Sequence, residues 1–181
     1  MIAVPRLVIT GAPASGKTVF FERLKTQPEF RDFAFLDEVA RSVLAENPAI
    51  RGHWLEFHRE IYRRQLAQLE RAATAPLISD RGTADTLAFC PHHLEELHTS
   101  LQIERDRYTG AVQLGSAANL GDRYYRTDDV RTETVDQVLA IERAITAAWS
   151  PHPNYYFVPA DPDPDRKYHR LLEHLLRLAR R

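Results

Sequence analysis

Gly11-Ala12-Pro13-Ala14-Ser15-Gly16-Lys17-Thr18 is the stretch on which the reading of this chain turns. It meets the pattern G-x-x-x-x-G-K-[ST] and stands between two segments of different periodicity. Before it, Arg6-Leu7-Val8-Ile9-Thr10 is a short β-branched apolar run, which predicts a buried strand ending at Gly11. After it, Val19, Phe20 and Leu24 recur at helical spacing between Lys17 and Gln27, and Pro28 supplies a stop. A strand, a glycine-bounded loop and a helix, in that order, form an anion-binding loop. The glycines let backbone N–H groups turn toward phosphate oxygens, and the helix adds the positive end of its dipole. The expected phosphate contacts are Gly11, Ala12, Pro13, Ala14, Ser15, Gly16, Lys17, Thr18 and Val19. Lys17 would reach the β and γ phosphates of ATP or GTP, and the Thr18 hydroxyl would hold Mg²⁺.

Outward from the loop, strands and helices alternate. Phe33-Ala34-Phe35-Leu36-Asp37-Glu38 predicts a second strand that ends in two carboxylates, followed by a helix to about Glu46 that breaks at Asn47-Pro48. His53 to Ala73 is a long amphipathic stretch, and Pro76-Leu77-Ile78-Ser79-Asp80 a third strand ending in an acid. Helices are expected from Ala84 to Phe89 and from Leu94 to Arg107, with a fourth strand from Ala111 to Gly115. Residues 116 to 133 are polar and rich in Arg and Asp, which suggests a lid. A helix from Thr134 to Trp149, a fifth strand from Asn154 to Pro159 and a closing helix from Arg166 to Arg181 complete the pattern. The leucine stripe of that last helix (Leu171, Leu172, Leu175, Leu176, Leu178) reads as core. Such alternation implies an α/β fold, with a mostly parallel sheet covered on both faces, as a single domain over residues 1–181.

In open sheets of this kind ligands bind beyond the carboxyl ends of the strands, so Glu38 and Asp80 are expected near the γ-phosphate. Asp80 is the natural Mg²⁺ ligand, and Arg81 beside it can neutralise charge on a transferring phosphoryl group. The alternative is that Asp80-Arg81-Gly82 is only a turn. Glu38 could accept a proton from an acceptor hydroxyl; equally, Asp37 could cap the next helix with Glu38 in its first turn. Arg41, one turn beyond Glu38, points either into the same cleft or into a surface ion pair. Arg123, Arg126 and Arg131 suit bidentate phosphate contacts from the lid, or else pair with Asp122, Asp128 and Asp129 in solvent. The loop from Pro159 to Lys167 reads as turn chemistry. His92, His93 and His98 near Cys90 meet no metal-site spacing.

Composition narrows the function classes. The chain has 181 residues, 44% of them apolar and 27% charged, which suits a globular protein. A formal charge of −1 lacks the footprint of a dedicated nucleic-acid binder. No apolar run is long enough to cross a bilayer and the first residues lack a signal-peptide layout, so no membrane and a cytoplasmic location are expected. The single cysteine, Cys90, forms no internal disulfide. Only Lys17, Lys25 and Lys167 are lysines among 24 basic residues, so arginine clusters carry little weight.

Taken together, Gly11–Thr18, Asp37-Glu38-Val39-Ala40-Arg41, Asp80-Arg81-Gly82 with Asp85, and Val130-Arg131-Thr132-Glu133 resemble the NadR-like AAA-domain ATPase group, which includes the ribosylnicotinamide kinase half of NadR. The layout is also similar to deoxynucleoside and thymidylate kinases. The resemblance implies a P-loop NTPase fold: three layers, α/β/α, around a five-stranded parallel sheet of order 2-3-1-4-5, with a Mg-nucleotide ligand. It carries over the strand-two acid to Glu38, the strand-three pair to Asp80 and Arg81, and the lid motif to Arg131 and Glu133. Ala14 departs from the pattern, since many members have glycine there; alanine fits if that residue does not need a positive φ. The expected activity is transfer of the γ-phosphate of Mg·ATP to a hydroxyl of a small, nucleoside-like acceptor. The alternative is an ATP- or GTP-dependent regulatory switch with slow hydrolysis and a protein partner.

Overall fold

Strand β1 (Arg6–Thr10) is apolar on both faces, and such a strand is stable only at the centre of a covered sheet. The computed structural model of the chain describes residues 4–126 and 133–180. In it β1 pairs in parallel with β3 (Leu77–Asp80) on one side and β4 (Gly110–Leu114) on the other. Strands β2 (Ala34–Leu36) and β5 (Tyr155–Val158) add at the edges, also in parallel, giving the expected order β2-β3-β1-β4-β5.

Alternation along β1 builds two cores. Leu7 and Ile9 pack with Phe20 and Phe21 of α1 (Lys17–Leu24) and with Leu171, Leu175 and Leu178 of α8 (Pro164–Ala179), so the leucine stripe is core. Val8 faces the other way. It packs with Leu69 of α3 (Trp54–Arg71), Ala84 of α4 (Thr83–Phe89), and Ile145 and Trp149 of α7 (Val135–Trp149). Helix α2 (Val39–Glu46) lies against α3 through Val39, Val43 and Ile61. The result is a three-layer P-loop architecture.

Asp85 ties the layers where they approach the strand ends. Its carboxylate accepts from the Thr10 hydroxyl at 2.7 Å, the Gly82 N–H at 2.9 Å and the Trp149 indole N–H at 2.8 Å. A Cβ on Gly82 would lie 2.7 Å from the Trp149 ring, so only glycine lets the β3–α4 turn close on it.

One expected helix is two. In place of a continuous run from Leu94 to Arg107 there are α5 (His92–Glu96) and α6 (Leu101–Arg105). His98 adopts φ +50° between them, and the Ser100 hydroxyl accepts from the Ile103 N–H, starting a new helix where the apolar pattern alone suggests continuation. At the chain's other helix starts the caps explain shifts of one or two residues. Thr134 and Gln137 form a capping box before α7, and Asp163 caps α8. Among the described residues no helix is long and apolar enough to cross a membrane.

Candidate functional site

The loop between β1 and α1 curls by three positive φ angles: Gly11 at 152°, Ala14 at 58° and Gly16 at 85°. Gly11 is obligatory, since a Cβ there would lie 2.5 Å from the Leu114 carbonyl oxygen. Ala14 does take the left-handed conformation, so the condition under which alanine would fit without cost is not met. Its methyl group bears strain of about 1–2 kcal/mol that a glycine would not.

The loop's carbonyls are held by Lys17 from within and by three groups from outside. Gly11 O accepts from Lys17 Nζ at 2.9 Å, Pro13 O from the Ser116 hydroxyl at 2.6 Å and Ala14 O from the Ala117 N–H at 3.0 Å. Ser15 O accepts from Lys167 Nζ at 2.8 Å. In contrast, the N–H groups of Ala14, Ser15 and Gly16 make no hydrogen bond within the described chain, and those of Lys17, Thr18 and Val19 are the free first-turn donors of α1. With every tethered group an acceptor, the loop's free groups are donors, which is the arrangement an anion needs.

Electrostatics in the loop match that role. Burial lowers the Lys17 pKa to about 8, and the Arg81 guanidinium pushes the same way, while Asp80, Glu38 and Asp85 pull it back up. A cation so placed is short of compensating negative charge.

The acids at the strand ends converge on the loop. Burial raises Asp80 to about 6 against the pull of Lys17, and its Oδ1 is buried without a hydrogen-bond partner among the described residues. Burial also works to raise Glu38, but Arg81, Lys17 and Arg41 more than offset it, so Glu38 stays below the usual carboxylate range and ionised at neutral pH. Glu38 Oε1 accepts from Arg81 Nε at 3.2 Å, and Oε2 lies 3.2 Å from Arg41 Nε. Arg41 Nη2 in turn donates to the Thr18 hydroxyl at 3.0 Å. Of the alternatives for Arg41, then, it makes the i,i+3 ion pair and reaches the loop as well. Asp37 does not cap α2; it pairs with Lys25 at 2.7 Å. Arg81 adopts φ +69°, a left-handed backbone held by its N–H donating to the Ile9 carbonyl at 2.9 Å.

Asp80 sets a pH-dependent stability. Its pKa of about 6 in the fold lies above the ordinary 3.8, so an ionised, buried carboxylate penalises the folded state at neutral pH and the penalty fades as pH falls through both values. Nucleotide-free Asp80→Asn is therefore expected to exceed the parent in stability by ~2–3 kcal/mol near neutral pH, the difference vanishing toward the acid end. Urea denaturation at neutral and acid pH checks this; an equal difference at both would refute it.

Two spaces meet at this cluster. A groove of about 340 Å³ runs along Pro13 to Val19 to Glu38, Arg41 and Arg81. Next to it, sharing Pro13, Glu38 and Arg81, is a cavity of about 400 Å³ lined also by Trp54, Phe57, His58, Ile61 and Phe89, with Gln65, Thr86 and Glu133. Its size and mostly apolar lining suit a small molecule.

Other expectations are met in part. The segment starting at residue 116 does not begin as a free lid: Ser116 and Ala117 prop the phosphate loop, and Glu142 anchors Ser116 through its N–H at 2.5 Å. Arg123 and Arg126 line a separate surface groove with Tyr125 and Val135. Arg131 lies outside the described residues. Of the histidines near Cys90, His93 is buried and engaged with the Leu55 carbonyl at 2.8 Å and Glu96 at 3.0 Å. Asp161 is taken by Arg166 at 2.7 Å, which is turn chemistry as expected.

Lys167 is the residue the sequence reading missed. It is buried, burial lowers its pKa to about 8, and its ammonium bridges Ser15 O and Gly115 O, the latter at 2.6 Å. The available signal is that it is one of three lysines in a chain that otherwise uses arginine. A compact ammonium fits between two carbonyls where a planar guanidinium does not. Lys167→Met keeps the stem and deletes both bonds, leaving two carbonyls buried without a donor. The expected cost is about 1–3 kcal/mol in denaturant unfolding, with nucleotide affinity falling several-fold. If both quantities stay at parental values, Lys167 does not hold the loop.

The model of the AAA domain family matches residues 6–166. The solved structure of deoxyadenosine kinase from M. mycoides with bound dATP aligns with a TM-score of 0.64, covering 94% of this chain and 98% of that one at 10% sequence identity. At that identity the likeness is one of fold. No curated protein sequence matches the chain.

Proposed function

The chain belongs to the AAA domain family, and from that premise we propose that it is an ATP-dependent phosphotransferase acting on the hydroxyl of a small, nucleoside-like acceptor. One observation carries the reading. Pro13, Glu38 and Arg81 line both the phosphate-loop groove and the apolar cavity next to it, so the acid–arginine pair stands where a donor phosphate and an acceptor would meet. The finer likeness to NadR-like members rests on Glu38-Val39-Ala40-Arg41 and Asp80-Arg81-Gly82. The dATP held by the structurally similar deoxyadenosine kinase supports a nucleotide in the groove.

In this reading the loop amides and Lys17 hold the β and γ phosphates. Thr18 and Asp80 fit Mg²⁺: both are hard oxygen donors, and the buried Oδ1 of Asp80 has no partner among the described residues. When bound, Mg²⁺ would supply positive charge to offset that of the phosphates. Glu38, ionised and facing the cavity, accepts a hydrogen bond from the acceptor hydroxyl and takes its proton as the acceptor O–P bond forms and the bond from the γ-phosphorus to the β–γ bridging oxygen breaks, with ADP leaving. Arg81 orients Glu38 and faces the charge that develops on the transferring group. Arg41 donates to the Thr18 hydroxyl and so would compete with a cation for its oxygen. From the sequence, Arg131 joins from the segment 116–133, whose closure would favour transfer over hydrolysis.

The test is a screen of nucleosides and related alcohols with γ-labelled ATP and Mg²⁺, read as labelled product. A phosphorylated alcohol is expected. If every acceptor stays unlabelled and only slow release of phosphate is seen, a nucleotide-dependent switch replaces this reading.

A further inference from the structure

His58 sits on α3 one turn after Trp54, with only 4% of its surface exposed, and lines the cavity. Its ring lies among aromatic neighbours, 4.2 Å from Trp54, 5.3 Å from Phe57 and 6.1 Å from Phe89 between centroids. Neither ring nitrogen has a hydrogen-bond partner among the described residues. That is unusual for a buried polar group, because two lost bonds to water go uncompensated. His93 shows the contrast, with both its nitrogens engaged. Burial holds His58 to a pKa of about 4, and His93 and Arg81 push the same way, so at neutral pH the imidazole is uncharged. A neutral imidazole offers one donor and one acceptor. Of the other polar groups lining the cavity, Gln65 and Thr86 are engaged with each other, the Thr86 hydroxyl donating to the Gln65 side-chain oxygen at 3.0 Å.

We propose that His58 is a specificity-determining residue of the cavity: its imidazole hydrogen-bonds the polar edge of a flat heteroaromatic ring carried by the acceptor, whose hydroxyl end lies at Glu38 and Arg81. The inference rests on the phosphotransferase reading in taking the cavity as the acceptor's. The aromatic neighbours supply stacking area for any flat ring, and the imidazole supplies the choice among rings. A site built to hydrogen-bond its ligand discriminates strongly against an analogue lacking the partner atoms, because the protein's own group is then left unpaired.

The experiment is a binding titration on the whole chain without nucleotide, followed by tryptophan fluorescence, since Trp54 lies at the cavity and is exposed. The probes are adenosine, cytidine and a phenyl riboside that keeps the sugar and has no polar ring edge. The parent is expected to bind at least one nucleoside roughly tenfold or more tighter than the phenyl riboside, and His58→Phe to lose that preference while binding the phenyl riboside as well or better. In the unsubstituted protein, histidine ¹⁵N spectra are expected to show the His58 ring nitrogens shifting with the nucleoside and not with the phenyl riboside. This readout holds the proposal to account even if His58→Phe fails to fold. Unshifted His58 nitrogens on nucleoside binding, or a preference retained by His58→Phe, would overturn the proposal. So would a parent that binds Mg·ATP and none of the probes, whereas a parent that binds neither Mg·ATP nor probes also overturns the functional reading.

Discussion

Replacing Glu38 by Gln is expected to slow phosphoryl transfer by ~100- to 10,000-fold while Mg·ATP affinity stays within about threefold of the parent. The amide keeps the shape of the carboxylate and can still meet Arg81, but it cannot take a proton. Glu38 is ionised because Arg81, Lys17 and Arg41 offset its burial, and it faces the cavity as well as the groove. The loss should therefore fall on the chemical step and not on binding of the donor. Single-turnover transfer with saturating acceptor, beside a nucleotide titration, separates the two. Transfer at the parental rate would reduce Glu38 to a partner in an ion-pair network.

Lys17→Ala is expected to act in the opposite register, weakening Mg·ATP binding by roughly 10- to 100-fold, the value of a charge-assisted bond to phosphate. The same substitution should leave the nucleotide-free protein no less stable. Burial and Arg81 bring the Lys17 pKa down to about 8 from 10.5, so protonating it below that value counts against the folded state. Removing it relieves that cost at neutral and acid pH, and the relief disappears as pH rises through both values. Calorimetric titration with Mg·ATP and thermal unfolding across pH test both halves. Parental affinity in Lys17→Ala would remove the phosphate loop from the account altogether.

The parts of the fold that were legible are those where local pattern and motif coincide. The run Arg6–Thr10 ends at a glycine-bounded loop and then changes to helical spacing, so β1, the loop and α1 could be read together. The acids Glu38 and Asp80 were legible because parallel sheets bind ligands beyond strand ends. The strand order came from the family resemblance, since periodicity places strands but does not order them. The break between α5 and α6 was hidden because a single left-handed His98 and the Ser100 cap decide it within an apolar pattern that looks continuous. The contributions of Lys167 and His58 were illegible for a different reason. Lys167 acts on Ser15 across 152 residues of sequence, and His58 differs from any other inward residue of its helix only by the partners it lacks.

The outside tethers of the phosphate loop have a consequence for how the protein is made. Two of them come from the segment after β4 and a third from α8, at Lys167. During synthesis the motif leaves the ribosome before the struts that shape it, since Ser116 follows Pro13 by 103 residues and Lys167 follows Ser15 by 152. A nascent polypeptide stalled before α8 emerges should accordingly be unable to retain nucleotide, and ATP would help only molecules that already hold α8 over their last folding barrier.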